Sequence, residues 1–174
     1  MELLEGILAR RSCKSYFPDP IPEKDVETVV RAGLAAASGR NLQAPVILVL
    51  TDPKVRNAYS ALNSRYDFAH RPDPFYSAPV ILAVLTDKSV STGVYDASLV
   101  LGNMMLAAEA LGLGSCWIHR AKECFEDEEG KKILRRAGLD PDAYEGVGNL
   151  ALGKAKIQPE GALPRREGRV FWIK

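Results

Sequence analysis

Hydrophobic residues in the first third of the chain recur at helical spacing, with polar residues between them. The apolar positions within 3–8 predict a short amphipathic helix that ends near Arg10. Pro22 is expected in the first turn of a second helix, where its missing N–H costs nothing, and the apolar residues from 26 to 34 line one face of that helix. Two further helices are predicted at 55–66 and at 126–136, the latter with acidic residues before basic ones.

Short apolar runs bounded by proline or turn residues predict strands between these helices. The runs at 46–50 and 80–85 are continuous rather than alternating, so we expect both strands to be buried on both faces. Further strand candidates are 115–118, 147–152 and 170–173. The pattern as a whole indicates a mixed α and β domain.

The segment 94–113 is apolar nearly all round, with Asp96 among its few polar residues. A helix of this kind has to be covered on every side. Because one sheet in a small domain covers only one face, we expect a second subunit to cover the other. Its charge-free part, 97–108, is too short to span a bilayer, so we expect a core helix.

Composition places the chain among ordinary globular domains. It has 174 residues, 47% of them hydrophobic and 26% charged, which suits a single domain over 1–174 with its own core. A net charge of +1 gives no electrostatic reason to expect nucleic acid or an anionic membrane as a partner. Three cysteines, an odd number, favour free thiols, and Glu2 and Glu5 stand where a signal peptide carries positive charge. We therefore expect a cytoplasmic protein.

Two motifs suggest other chemistry, and neither has the context that it needs. Residues 146–151, GVGNLA, match the glycine pattern of a dinucleotide-binding loop, but they are typical of a strand and too little chain follows them. Cys116, His119 and Cys124 carry zinc-ligand atoms, yet the sequence offers no fourth ligand at a useful spacing. Ordinary packing is the better interpretation of both.

Positive charge concentrates at the two ends of the sequence. If the chain runs on extended after the first helix, Arg10, Ser12 and Lys14 face one side and the residues between them face the other. Two cations and a hydroxyl then line an edge about 13 Å long, enough to run beside a phosphate, a sugar-like chain and a heterocycle. A solvated linker is the alternative. The second basic cluster lies within 165–174.

Five segments, in order and over nearly the whole chain, resemble the flavin-dependent nitroreductase family. They are RRSCKSYF at 10–17, ASGRNLQAP at 37–45, Ala-Pro-Val-Ile at 78–81, AAEALGLGSCWI at 107–118 and VGNLALG at 147–153. The resemblance implies an α+β fold with a central mixed or antiparallel sheet flanked by helices. It also implies an intertwined homodimer in which the C-terminal arm, 154–174, exchanges with the partner subunit.

The same resemblance implies one FMN in each of two clefts that both subunits form. Arg10 and Arg11 would lie near the phosphate and ribityl end, with Ser12 beside them, and Lys14 would face the pyrimidine edge. The remaining residues that it assigns to flavin binding are Ser38 and Asn41 from the partner, Asn63, the backbone of Trp117 and Ile118, and the C-terminal pair Arg165 and Arg166.

The implied activity is that of an FMN-dependent NAD(P)H oxidoreductase. NADH or NADPH would give hydride in a ping-pong cycle, and a small-molecule electron acceptor, a nitroaromatic or a quinone, would take its place. No protein side chain is then catalytic, because the cofactor carries the chemistry. Two alternatives remain open. One is a flavin carrier or redox sensor without turnover, and the only sequence feature that favours the sensor is Cys13, because neighbouring cations can lower the pKa of a thiol. The other is a flavin-destroying or dehalogenating enzyme on the same fold.

Overall fold

The computed structural model describes residues 2–174, and within that range it contains six α-helices and four strands. The helices are α1 (Leu3–Ala9), α2 (Glu23–Leu34), α3 (Pro53–Tyr66), α4 (Gly93–Ala110), α5 (Ala121–Glu126) and α6 (Glu128–Arg136). The strands are β1 (Pro45–Leu50), β2 (Val80–Asp87), β3 (Gly114–Ile118) and β4 (Tyr144–Gly153). The α+β class that the family resemblance implies is confirmed, as is the mixed α and β content that the hydrophobic pattern predicts.

All neighbouring strands of the sheet are antiparallel, in the order β1-β2-β4-β3. The central strand β2 is buried along nearly its whole length, as its continuous apolar run predicts. The same prediction is wrong for β1, because β1 is an edge strand and Val49 is 44% exposed. An edge strand leaves one row of backbone groups without a neighbouring strand.

Helices cover both faces of the sheet and enclose two hydrophobic clusters. One cluster lies between the sheet and α2 with α4, and the other between the sheet and α3, α5 and α6. The helices α2 and α4 approach closely at Gly33, where a Cβ atom would lie 2.6 Å from the Cγ of Met104. Much of the α4 face that we expected a second subunit to cover is therefore covered by α2. Tyr95 and Leu99 of α4 stay 73% and 52% exposed.

Two aspartates set the starts of α3 and α6. The Asp52 carboxylate accepts hydrogen bonds from the backbone of Lys54 and Val55, both at 2.9 Å, and thereby caps α3. Asp127 has an extended backbone and accepts from the Glu129 N–H at 2.9 Å. The prediction of one helix over 126–136 is therefore wrong, because the chain leaves helical geometry at Asp127 and starts again.

Apolar side chains remain exposed at both ends of the chain. In α1, which ends where predicted, Leu3, Leu4 and Leu8 are each about two thirds exposed or more, and Leu34 of α2 is 56% exposed, against the expectation that it faces the core. The strand predicted at 170–173 pairs with no strand within the described residues. Among residues 2–174, no helix is long and apolar enough to cross a membrane.

Candidate functional site

The segment after α1 runs extended along the outer edge of β3. The Cys13 N–H donates to the Ser115 carbonyl at 2.9 Å, and Ser12 pairs with Ser115 in parallel. Cys13 is 1% exposed, whereas Ser12 and Lys14 on either side are exposed. The alternation that the sequence predicts for this segment is therefore present.

The two arginines before Ser12 have guanidinium atoms without a protein partner. Arg11 donates through Nη1 to the carbonyls of Leu8 and Arg10, at 2.8 and 2.6 Å, and so closes the C-terminal turn of α1. Its Nε and the Nη1 of Arg10 are buried and make no hydrogen bond within residues 2–174. Because a buried donor left unpaired is costly, this pair of N–H groups is suited to an acceptor-rich anion such as a phosphate.

The positively charged side chains of this segment affect the pKa of the Cys116 thiol on β3. Burial raises the pKa of Cys116, and the Ser12 hydroxyl together with the charges of Lys14 and Arg10 works in the opposite direction. Burial also raises the pKa of Cys124 to about 12. Both thiols therefore stay protonated at neutral pH, which does not suit nucleophilic or metal-ligand chemistry.

Asn63 of α3 is bound to the backbone just past the end of β3. Its Nδ2 donates to the His119 carbonyl at 2.9 Å, and its Oδ1 is buried with no hydrogen-bond partner among the described residues. The side chain is 1% exposed. The structure thus brings Asn63 together with the Trp117–His119 backbone, and leaves one amide oxygen free to accept a hydrogen bond there.

A second polar pair holds the same backbone from the sheet side. Asn149 of β4 donates to the carbonyls of Ile118 and His119, both at 3.3 Å, and accepts from the Tyr59 hydroxyl at 2.8 Å. Burial raises the pKa of Tyr59 well above its usual value, so this hydroxyl stays a donor. Sequence reasoning missed both residues. The signal in the sequence that could have indicated this contact is the asparagine within the apolar run of β4.

Trp117 lies on β3, and its side chain packs against the hydrophobic core. Its residue pairs with Leu150 of β4, and its indole packs on Gly148, where a Cβ atom would lie 2.8 Å from the ring. The indole therefore belongs to the cluster under α4.

Ser38 and Asn41 lie in a loop at the other end of α4. The Gly39 N–H donates to the Asp96 carboxylate at 3.1 Å, in the first turn of α4, whereas Ser12 pairs with β3 shortly after the last turn. A helix of 18 residues is about 27 Å long. One chain therefore keeps this loop and the basic segment apart, and a shared site for them requires two chains.

Arg165 and Arg166 lie in the exposed C-terminal arm. Within the described part of the chain, neither forms a hydrogen bond or an ion pair. Among residues 2–174, the backbone pairing of the arm lies at its start, where Tyr16 pairs with Ala155 and the Lys156 N–H donates to the Ser15 carbonyl. The convergence of the two basic ends on one anion stays a prediction.

A large cavity lies elsewhere, and none of its lining residues is a predicted flavin-binding residue. It has a volume of about 1010 Å³ and lies between α2, the N-terminal part of α3 and the edge of β1. At its polar end, Arg56 donates to Asp73 at 2.9 Å. Burial raises the pKa of Asp73, but hydrogen bonds from Ser60, Arg56 and Ser77 outweigh it, and the net shift is downward. A smaller cavity of about 460 Å³ lies beside β1 against α3 and α6.

Comparisons with known proteins agree on one family. The model of the nitroreductase family matches residues 7–154. The NADPH-flavin oxidoreductase of Vibrio harveyi is 30% identical over 126 residues, 66% of this chain and 52% of that protein. A protein of Archaeoglobus fulgidus, provisionally named NADH dehydrogenase/NAD(P)H nitroreductase, is 29% identical over 162 residues, 91% of this chain and 88% of its own length. This chain thus spans about half the length of the first of these relatives.

Solved structures show the same fold. A Bacteroides fragilis nitroreductase with bound FMN superposes with a TM-score of 0.86 at 24% identity, and the match covers 100% of both chains. An FMN-dependent nitroreductase from Clostridium difficile has a TM-score of 0.77 at 26% identity, covering 99% of this chain and 98% of the other.

Proposed function

The chain belongs to the nitroreductase family, and on that premise we propose that it is an FMN-dependent NAD(P)H oxidoreductase that reduces nitroaromatic or quinone-type acceptors. FMN, when bound, supplies hydride transfer between the nicotinamide and the acceptor. The names of the relatives support this: an NADPH-flavin oxidoreductase in Vibrio harveyi and an FMN reductase (NADPH) in Bacillus subtilis.

The observation that carries the proposal is the set of unpartnered polar atoms around β3. Arg10 and Arg11 each keep a buried N–H without a partner within residues 2–174, and Asn63 keeps a buried carbonyl oxygen free. Lys14 is exposed next to them. Cationic donors at one end and an amide acceptor at the other match the phosphate and the ring N–H of FMN, so the residues present fit this cofactor.

Each group has a role that follows from its chemistry. Arg10 and Arg11 bind the phosphate, with Arg165 and Arg166 of a second copy completing the anion site. Lys14 places a positive charge near the ring. Asn149 and Asn63 fix the carbonyls of residues 118 and 119, which orients the backbone that borders the ring.

The dimer follows from surfaces that one chain leaves uncovered. Leu4 and Leu8 of α1 and Tyr95 and Leu99 of α4 are between 52% and 73% exposed. Burying apolar surface of this kind stabilises association. We therefore propose a homodimer, and expect Leu99→Glu to shift it toward monomer in sedimentation velocity.

The C-terminal arm, 154–174, is proposed to exchange between the two subunits. The arm ends in Val170–Ile173, each residue 71% exposed or more. Cavities flank the free edge of β1 on both sides, so an added strand has room there for side chains that alternate between two faces. Removal of residues 162–174 is expected to abolish both dimerisation and flavin binding.

The test of function is spectroscopic. The purified protein is expected to be yellow, to bleach when NADPH or NADH is added without air, and to recolour with a nitroaromatic or a quinone. Arg166→Ala should lose flavin during gel filtration while Arg169→Ala, in the same arm, keeps it. A yellow protein that neither nucleotide bleaches would instead be a carrier or sensor. Burial of Cys13, whose Sγ donates to the Ser15 carbonyl at 3.2 Å, gives the sensor no support.

A further inference from the structure

Asp96 is a buried carboxylate in the otherwise apolar helix α4. It is 4% exposed, and within residues 2–174 it forms no ion pair with a basic residue. One oxygen, Oδ1, accepts from the Gly39 N–H at 3.1 Å, and the other accepts from the Thr92 hydroxyl at 3.0 Å. A buried charge is costly unless hydrogen bonds satisfy it, and the first turn of a helix favours an acid. The carboxylate thus connects α4 to the loop that contains Gly39.

That loop has an unfavourable backbone. Arg40, Asn41 and Gln43 have φ angles of 52°, 55° and 49°, in the left-handed region that residues other than glycine seldom adopt. Such a cluster persists only where the surrounding structure holds it. Several contacts do so here. Asp96 accepts from Gly39, the Ser38 hydroxyl accepts from the Gln43 N–H at 3.1 Å, and the Gln43 side-chain amide donates to the Asn41 Oδ1 at 3.2 Å.

Gly39 itself is required for the contact. A Cβ atom at this position would lie 2.5 Å from the Oγ1 of Thr92 and 2.9 Å from its Cγ2. The loop backbone therefore lies directly on the start of α4, and its distance from the helix is fixed by both a hydrogen bond and steric contact. Neither Asp96 nor Gly39 was assigned a role in flavin binding from the sequence.

We propose that Asp96 is a positioning residue, which holds the loop 38–41 in the conformation that presents Ser38 and Asn41 to the flavin bound with the partner subunit. The inference rests on the proposed function and on the prediction, implied by the family resemblance, that these two side chains contact FMN across the dimer. It adds a buried carboxylate that does not itself touch the cofactor. The strained loop then needs little reorganisation when FMN binds, because its conformation is already set.

The first experiment removes the Asp96 carboxylate, which accepts the hydrogen bond from Gly39. FMN is dissociated from wild type, Asp96→Ala and Asp96→Asn, and its dissociation constant is measured by the quenching of flavin fluorescence. Asp96→Ala is expected to weaken FMN binding about tenfold, or about 1.4 kcal/mol. Asp96→Asn should remain within threefold of wild type, because its amide oxygen still accepts from Gly39 and its NH₂ can donate to the Thr92 hydroxyl. The thermal midpoint of each flavin-free variant is measured alongside.

The outcomes separate a positioning role from a structural one. Weaker FMN binding by Asp96→Ala, with rescue by Asp96→Asn, supports the proposal. Unchanged FMN affinity in Asp96→Ala overturns it, even if the thermal midpoint falls. A wild-type protein that binds no FMN overturns the proposed function and this inference together, whereas wild-type binding with no turnover overturns only the former.

A second variant serves if Asp96→Ala does not fold. Gly39→Ala inserts a methyl group between the loop and Thr92 without removing any polar group, and it is expected to weaken FMN binding at least fivefold. Wild-type affinity in Gly39→Ala contradicts the proposal.

Discussion

Tyr59→Phe removes one oxygen atom from the centre of the polar contacts that hold the end of β3. The Tyr59 hydroxyl donates to Asn149 at 2.8 Å, and both side chains have no exposed surface. The ring itself stays packed, stacked on Phe125 with centroids 5.3 Å apart. The substitution therefore leaves the apolar contacts in place and takes the donor away from a buried amide oxygen.

The cost follows from the unpaired acceptor. A buried polar atom that loses its partner costs about 1–3 kcal/mol, which exceeds the net value of an ordinary hydrogen bond. For a domain of this size, each kcal/mol shifts the thermal midpoint by about 2–4 °C. Tyr59→Phe should therefore lower the midpoint by roughly 2–12 °C. Asn149 then holds the carbonyls of residues 118 and 119 less firmly, so FMN affinity should fall as well.

The assays are thermal unfolding and urea unfolding, both followed by circular dichroism at one fixed protomer concentration, because a dimer's stability depends on concentration. Tyr144→Phe is the matched control, since the Tyr144 hydroxyl makes no hydrogen bond within residues 2–174. A free energy of unfolding for Tyr59→Phe within about 0.5 kcal/mol of that control would refute the reasoning.

Three further results are expected. The free energy of unfolding should fall as the pH drops below about 5, because the folded-state pKa of Asp73 lies below its unfolded value near 3.9 and the unfolded chain binds more protons; Asp73→Asn should flatten this dependence in urea titrations from pH 7 to pH 3. Gly130→Ala should destabilise more than Gly33→Ala in the same titration, because the Cβ at position 130 would collide with the backbone carbonyl oxygen of Cys124, whereas the Cβ at position 33 meets a flexible methionine side chain; the reverse order contradicts this account. Lys14→Ala should lower the flavin midpoint potential by on the order of 20 mV, since a nearby cation favours the more negative reduced flavin, and an unchanged potential in a variant that keeps FMN excludes that role.

The sequence by itself determined where most of the elements lie and which side of the basic segment is buried. Strand β2, the extent of α1 and the inward orientation of Cys13 follow from hydrophobic spacing within a few residues. Side-chain direction in a helix or strand repeats with a fixed period, so a local pattern is enough to predict it. The order of five motifs along the chain was enough to indicate the family.

Tertiary structure decided which of those elements meet. The exposure of β1 depends on its place at the edge of the sheet, which its own residues do not state. Asp96 and Gly39 are 57 positions apart, as Tyr59 and Asn149 are 90 apart, and only the packing of α4 and α3 on the sheet brings each pair together. Hydrogen bonds between distant residues depend on topology and close packing, and neither leaves a periodic signal in the chain.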